Sequence, residues 1–283
     1  MYMRLEIVEY IPVESSHLPP LLFVHGAWHG TWCWKEHFLP YFFAKGFSCY
    51  ALSFRGHGES EGNEKLHTFS LNDYMDDVLQ VMAHLKEKPV LIGHSMGGAV
   101  VQKIASAHLD KIKMVVLLAS LPPQGILKDA LRLLFTHFRD LSQLSLFNQR
   151  RSGDFPVYLL FSKSLTTEKM NEFAKLLQPE SNKALRELYR RVVPKSNLWA
   201  GRPQGVSRSP NPLQVPMLVL GSKKDAFVPE KTVKKTGKIY KTRPIIFNDI
   251  SHDMMLDPQW RSVADLIATF VSETVSADEK GRA

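Results

Sequence analysis

Short apolar runs alternate with longer amphipathic stretches through the first 120 residues of the chain, and the alternation resumes after residue 215. Residues 5–11 alternate apolar and polar side chains, which predicts an edge strand, and residues 12–20 read as a loop. Residues 21–24 predict a short buried strand, residues 47–52 a third strand, the apolar, β-branched run beginning at Val90 another, and residues 114–119 a further one. Between them the apolar positions recur at helical spacing. Residues 32–44 form one such stretch, ended by Gly46, and residues 70–86 form another. In the second, Ser70 is the cap and Leu71, Tyr74, Val78, Val81, Met82 and Leu85 make the inner face. A third helix follows Ser95 to about residue 108. After residue 215 the pattern gives a strand at 217–221, a basic helix near 229–238, a strand at 244–247 and a helix over 258–274. The tail from residue 276 is expected to fray. Strands alternating with helices on short connections predict an α/β fold with a doubly wound, mostly parallel sheet. Such sheets gather reactive groups at the carboxyl ends of their strands, where the loops at His25, Arg55, Ser95 and Ser120 fall.

The alternation stops between residues 121 and 215. Leu127, Leu131, Leu134, Phe135 and Phe138 recur at helical intervals, as do Met170, Phe173, Ala174 and Leu177, and then Ala184, Leu188 and Val192. Three or four short helices are expected, bounded by Pro122-Pro123 on one side and Pro210, Pro212 and Pro216 on the other. The expected division is a core of residues 1–120 and 216–275, a helical cap of residues 121–215 inserted into it, and a flexible tail of residues 276–283.

Charge adds to this picture through its placement. The net charge is +8, from 36 basic and 28 acidic residues, and residues 121–208 alone hold 15 basic against 7 acidic ones. The entire excess therefore lies on the insertion. A solvated surface accounts for it, and so does attraction to an anionic membrane surface or an acidic substrate. No nucleic-acid-binding module is present, so nucleic acid is not an expected partner. No apolar run reaches the ~18–20 residues that span a bilayer, and the first residues lack the apolar segment of a secretory signal, so an intracellular location is the expectation. Cys33 and Cys49 read as buried free thiols, and no His, Cys and carboxylate cluster has metal-site spacing. No metal or cofactor is expected.

The candidate chemistry centres on Gly93-His94-Ser95-Met96-Gly97, between an apolar strand and a helix. That spacing predicts a tight turn holding the Ser95 hydroxyl in the open. A serine hydroxyl is a poor nucleophile by itself and needs a base, an orienting acid and an oxyanion hole. Asp225 follows the first strand after the insertion and His252 follows the last strand, so all three fall at one sheet edge in the order Ser, Asp, His. Asp249, Asp253 and Asp257 compete with Asp225 for the acid. Asp253 is disfavoured because it adjoins His252, and neighbouring side chains on an extended loop point apart. The backbone N–H groups of Met96 and Ala27 are the oxyanion candidates. Trp28, His29 and Phe135 are candidate pocket-lining residues, His57 and Arg55 are expected to brace their loop, and His94 to pack within the turn.

Together His25-Gly26, Arg55-Gly56-His57-Gly58-Glu59-Ser60, the Ser95 turn, Asp225 and His252 resemble the α/β-hydrolase superfamily over essentially the whole chain outside the insertion. The resemblance implies the α/β-hydrolase fold, a Ser95-His252-Asp225 triad and a helical cap that shapes the substrate pocket. The stretch from His25 to Trp34 is similar to the methylesterase and hydroxynitrile lyase branch, whereas Arg55-Gly56-His57-Gly58 is closer to general esterases and monoglyceride-lipase-like members. The lyases usually carry a lysine directly after the catalytic histidine; Asp253 stands there in this chain and speaks against cyanohydrin cleavage. The expectation is a serine hydrolase of a hydrophobic carboxylic ester, lysolipid or lactone. The alternatives are a lyase or cofactor-free oxygenase on the same scaffold, and a ligand-binding member that retains the triad.

Overall fold

The computed structural model describes residues 3–14, 17–149, 154–194 and 215–280. Seven strands form one sheet: β1 (Ile7–Tyr10), β2 (Leu21–Val24), β3 (Cys49–Leu52), β4 (Val90–His94), β5 (Met114–Leu118), β6 (Met217–Ser222) and β7 (Ile245–Phe247). Their order is β1-β3-β2-β4-β5-β6-β7; β1 pairs antiparallel with β3 and every other pair is parallel. The continuous apolar runs have a direct cause. Phe23, Ile92 and Val116 face one core, while Leu22, Leu91 and Val115 face the other, because the strand period of two sends neighbours to opposite faces.

Helices α1 (Trp32–Lys35), α2 (Phe38–Ala44) and the last helix α10 (Trp260–Lys280) cover one face with Trp34, Phe38, Phe42, Val263, Ile267 and Val271. Helices α3 (Leu71–Met82), α4 (Ser95–Ala107) and α9 (Glu230–Tyr240) cover the other with Tyr74, Val78, Val100, Val101, Val233 and Tyr240. The Ser70 cap of α3 is a full capping box: its hydroxyl accepts from Asp73 N–H while the Asp73 carboxylate accepts from Ser70 N–H at 2.7 Å. The single helix expected over 32–44 is two. Pro40 has no N–H and its ring would meet the carbonyl four residues back, so it sits in the first turn of a new helix, where no intrahelical donor is needed. Gly46, at φ +85°, ends α2 as expected.

Helix α10 runs on to Lys280, with Val275 buried; residues 276–280, expected to fray, continue the helix as exposed residues, with Asp278 paired to Lys113. Residues 281–283 lie outside the described residues.

Between β5 and β6 the described residues form helices α5 (Leu127–Thr136), α6 (Phe138–Asn148), α7 (Thr167–Ala174) and α8 (Asn182–Leu188), with a 3₁₀ turn at Val157–Leu159. Residues 150–153 and 195–214, which include part of the basic segment, lie outside the described residues. In chain order the path moves from β2 to β3 on one side and then crosses to β4 on the other. The carboxyl ends of β2 and β4 therefore flank the point where the winding reverses, which is where open α/β sheets form their crevice.

Candidate active site

Strand β4 passes into α4 with no residue between them, and Ser95 takes the corner at φ +49°. A positive φ is strained for a residue with a Cβ, and here the surrounding contacts hold it. A side chain on Gly97 would collide with the backbone carbonyls of Val24 and His25, so only glycine lets α4 sit against the end of β2. Gly26 does the same from the other side. A methyl group there would stand 2.7 Å from His94 Nδ1 and 3.0 Å from Ser95 Cβ. These two glycines bring the His25-Gly26-Ala27 loop against the serine. The N–H of Ala27 makes no hydrogen bond among the described residues, and neither does that of Met96 in the first turn of α4, where helix N–H groups lack an internal partner.

Asp225 and His252 meet across 27 residues of sequence, with both carboxylate oxygens 2.9 Å from His252 Nδ1. The carboxylate is itself fixed, since Oδ1 accepts the N–H groups of Phe227 and Val228 at 2.8 Å each. Nδ1–H therefore donates to Asp225 and Nε2 is the bare nitrogen. Burial pushes the His252 pKa down, but the adjacent Asp225 charge and hydrogen bond outweigh it and hold it above the ordinary histidine value. The Ser95 hydroxyl has no hydrogen-bond partner among the described residues. The structure thus joins the candidate acid and base and leaves the candidate serine unbonded.

His94 lies behind His252, their rings 4.8 Å apart, and its Nε2 faces the His252 carbonyl at 3.1 Å. Burial first, and the neighbouring His252 second, push the His94 pKa down to about 3, so the ring is neutral and Nε2–H donates to that carbonyl. Asp253 makes its hydrogen bond to His29 Nε2, at 2.8 Å, and not to His252, although its carboxylate lies within 4.8 Å of a His252 ring nitrogen. Burial would raise the Asp253 pKa, but His29, His94 and His252 outweigh it and keep the carboxylate below its usual range. Among the described residues, His94, His252 and Asp253 alone offer three ligand-type atoms within 4.8 Å of one another. Each makes a hydrogen bond, to the His252 carbonyl, Asp225 and His29 respectively, while His94 Nδ1 and Asp253 Oδ1 are buried without a hydrogen-bond partner among the described residues.

The pocket expectations divide. Trp28, at φ +67°, and Phe227 form one wall of a cavity of about 320 Å³, and Leu133, Leu141, Leu144 and Leu185 of the insertion form the others. The Phe227 ring also packs 5.0 Å from that of His252. His29 is buried instead, stacked 5.1 Å from Trp32 with its Nδ1 2.6 Å from the Ala27 carbonyl, so it braces the loop carrying Ala27. Phe135 is 85% exposed and does not line the cavity. Leu131, Leu134 and Phe138 are exposed too, because α5 and α6 turn Leu133 and Leu144 inward. Arg55 braces its loop through Asp77, at 2.6 Å. His57 does so through a partner that the sequence does not advertise, Glu180, which lies 123 residues away.

A model of the alpha/beta hydrolase family matches residues 21–266. The chain belongs to that family. Among relatives of this alpha/beta hydrolase, a pheophorbidase of Raphanus sativus is 35% identical over 101 residues, covering 35% of this chain and 38% of the relative. The pFDCC methylesterase of Arabidopsis thaliana is 33% identical over 101 residues, again 35% and 38% of the two chains. The match thus spans less than half the length of these relatives. A solved monoacylglycerol lipase of Paleococcus ferrophilus shares the fold at TM-score 0.69 and 20% identity, over 95% of this chain and 99% of that one.

Proposed function

We propose that this alpha/beta hydrolase cleaves a hydrophobic carboxylic ester through an acyl-enzyme on Ser95. The observation that carries the reading is the His252 imidazole, its Nδ1 held by both oxygens of Asp225 and its Nε2 bare, at the site of a strained serine whose hydroxyl is unbonded. Ser95 Oγ attacks the ester carbonyl and passes its proton to His252 Nε2, and Asp225 stabilises the imidazolium that forms. The carbonyl oxygen, now negative, accepts from the free N–H groups of Ala27 and Met96, each worth ~10²–10³-fold in rate. His252 returns the proton to the departing alkoxide, and a water molecule then repeats the sequence to release the acid and restore Ser95.

The cavity lined by Trp28, Phe227 and the insertion's leucines is the place for the apolar part of the ester. In this reading residues 121–215 act as the cap. The exposed Leu131, Leu134, Phe135 and Phe138, near Lys128 and Arg139, are the part that would meet an anionic lipid surface. Methylesterase and lipase names among the relatives support ester hydrolysis. Ser95→Ala is expected to abolish both p-nitrophenyl ester turnover and labelling by a fluorophosphonate probe. Undiminished labelling of the variant would overturn the assignment. Surviving turnover would point to a lyase or oxygenase using His252 as base, and an inert wild-type protein to a ligand-binding role.

A further inference from the structure

The oxyanion loop is held from outside the core by a short piece of the insertion, residues 178–180, between α7 and α8. Gln178 N–H donates to the Trp28 carbonyl at 3.0 Å, which captures the backbone of that left-handed residue immediately after Ala27. The Gln178 side chain reaches the neighbouring loop: its Oε1 accepts from Gly58 N–H at 2.8 Å and its Nε2 donates to the Gly56 carbonyl at 3.3 Å. One residue thus ties together the loops that follow β2 and β3.

Two residues on, Glu180 is fully buried and every polar group it has is engaged. Oε2 meets His57 Nε2 at 3.0 Å, and Oε1 accepts from Tyr74 Oη at 2.5 Å and from Ser181 N–H at 2.6 Å. Its N–H and carbonyl are both paired with the Asn148 side chain of α6, at 2.7 and 2.9 Å. His57 has acceptors at both nitrogens, the Arg55 carbonyl at 3.3 Å and the Glu180 carboxylate, which only the doubly protonated ring satisfies. Burial lowers the His57 pKa, but Glu180 outweighs it and the net shift is upward. His25, its ring 5.3 Å away, is the opposite case. Its Nε2 accepts from Phe54 N–H and its Nδ1–H donates to the Gly26 carbonyl, so it is neutral, and burial together with the nearby His57 keeps its pKa well down. Two histidines whose pKa values are shifted in opposite directions stand side by side between the insertion and the oxyanion loop.

We infer that Gln178 and Glu180 form a clasp through which the insertion positions the Ala27 N–H of the oxyanion hole, making them positioning residues for the acyl-transfer step. The inference rests on the ester-hydrolase reading above. A buried Glu180–His57 pair costs desolvation and is weak evidence of stabilisation; its geometric effect is to hold two loops in register. Angström-scale misplacement of a catalytic donor costs far more rate than binding.

The test uses Gln178→Ala, which keeps the backbone bond to Trp28 but cuts both side-chain ties that anchor it to the loop after β3, alongside Glu180→Gln. For each, kcat and KM are measured per titrated active site, together with Ki for a trifluoromethyl ketone, whose tetrahedral adduct places an oxyanion in the hole. Gln178→Ala is expected to lower kcat about 10-fold or more with KM within about twofold, and to raise Ki by the same factor. Glu180→Gln is expected to go the same way, with a lower melting temperature. Unchanged kcat and Ki in folded Gln178→Ala would overturn the clasp, as would a loss confined to melting temperature or KM. A wild-type protein without esterase activity or probe labelling would instead sink the underlying reading.

Discussion

His252 carries two opposing influences, and their balance sets the pH dependence of the site. Burial favours the neutral ring and the Asp225 carboxylate favours the charged one, and the carboxylate prevails. Attack by Ser95 needs neutral His252, so kcat/KM is expected to rise with pH along a limb lying above the ordinary histidine value of 6.5. Asp225→Asn removes the larger of the two nearby charges and leaves burial opposed only by Asp253, which should move that limb to lower pH while kcat falls roughly 10⁴-fold. A pH–rate profile of both proteins checks this, and an unmoved limb would count against Asp225 as the partner. Asp253 adds a smaller push in the same direction as Asp225, since its charge also favours the protonated ring. That carboxylate faces His29 and so supports the loop carrying Ala27.

At the level of elements, the strand–turn–helix from β4 to α4 is legible in sequence because glycine spacing and an apolar run are local signals. The faces of α5 and α6 are not. Their period is visible, but which residues turn inward depends on where the helices dock, and that put Leu133 in the cavity wall and Phe135 in solvent. Leu133→Trp should therefore fill part of the cavity. Its kcat/KM for a p-nitrophenyl ester of eight or more carbons is expected to fall about 10-fold while the acetate ester is nearly unaffected, since a pocket discriminates by the volume it can accept. Equal losses on both esters would remove the cavity from the substrate path. Pro40 is a local signal that the apolar period hides: the spacing over 32–44 predicts one helix, and the missing N–H divides it into α1 and α2.

Across the whole molecule, the buried histidines predict how stability responds to pH. His25 and His94 have folded pKa values below the unfolded 6.5, so the unfolded chain binds the extra protons and stability falls as pH drops below that value, for His94 down to about 3. His57 and His252 have folded values above 6.5; their contribution is complete below 6.5 and is lost as pH rises through the folded values. Stability should peak near neutrality and decline on both sides. Urea midpoints measured from pH 4 to pH 9 check this, and a profile rising steadily toward acid would contradict it. Among the described residues no helix is long and apolar enough to cross a membrane.

The chain by itself determined the alternation of strands and helices, the serine turn and the order of Ser95, Asp225 and His252, because periodicity, glycine spacing and position after a strand are written locally. Tertiary structure alone decided which groups those residues meet. Glu180 reaches His57 across 123 residues and Asp253 reaches His29 across 224, and no local pattern marks either partner. It also decided which insertion residues line a cavity and which face water. Those outcomes depend on where separate elements dock, and docking is set by the summed burial of whole faces, which no short stretch of sequence contains.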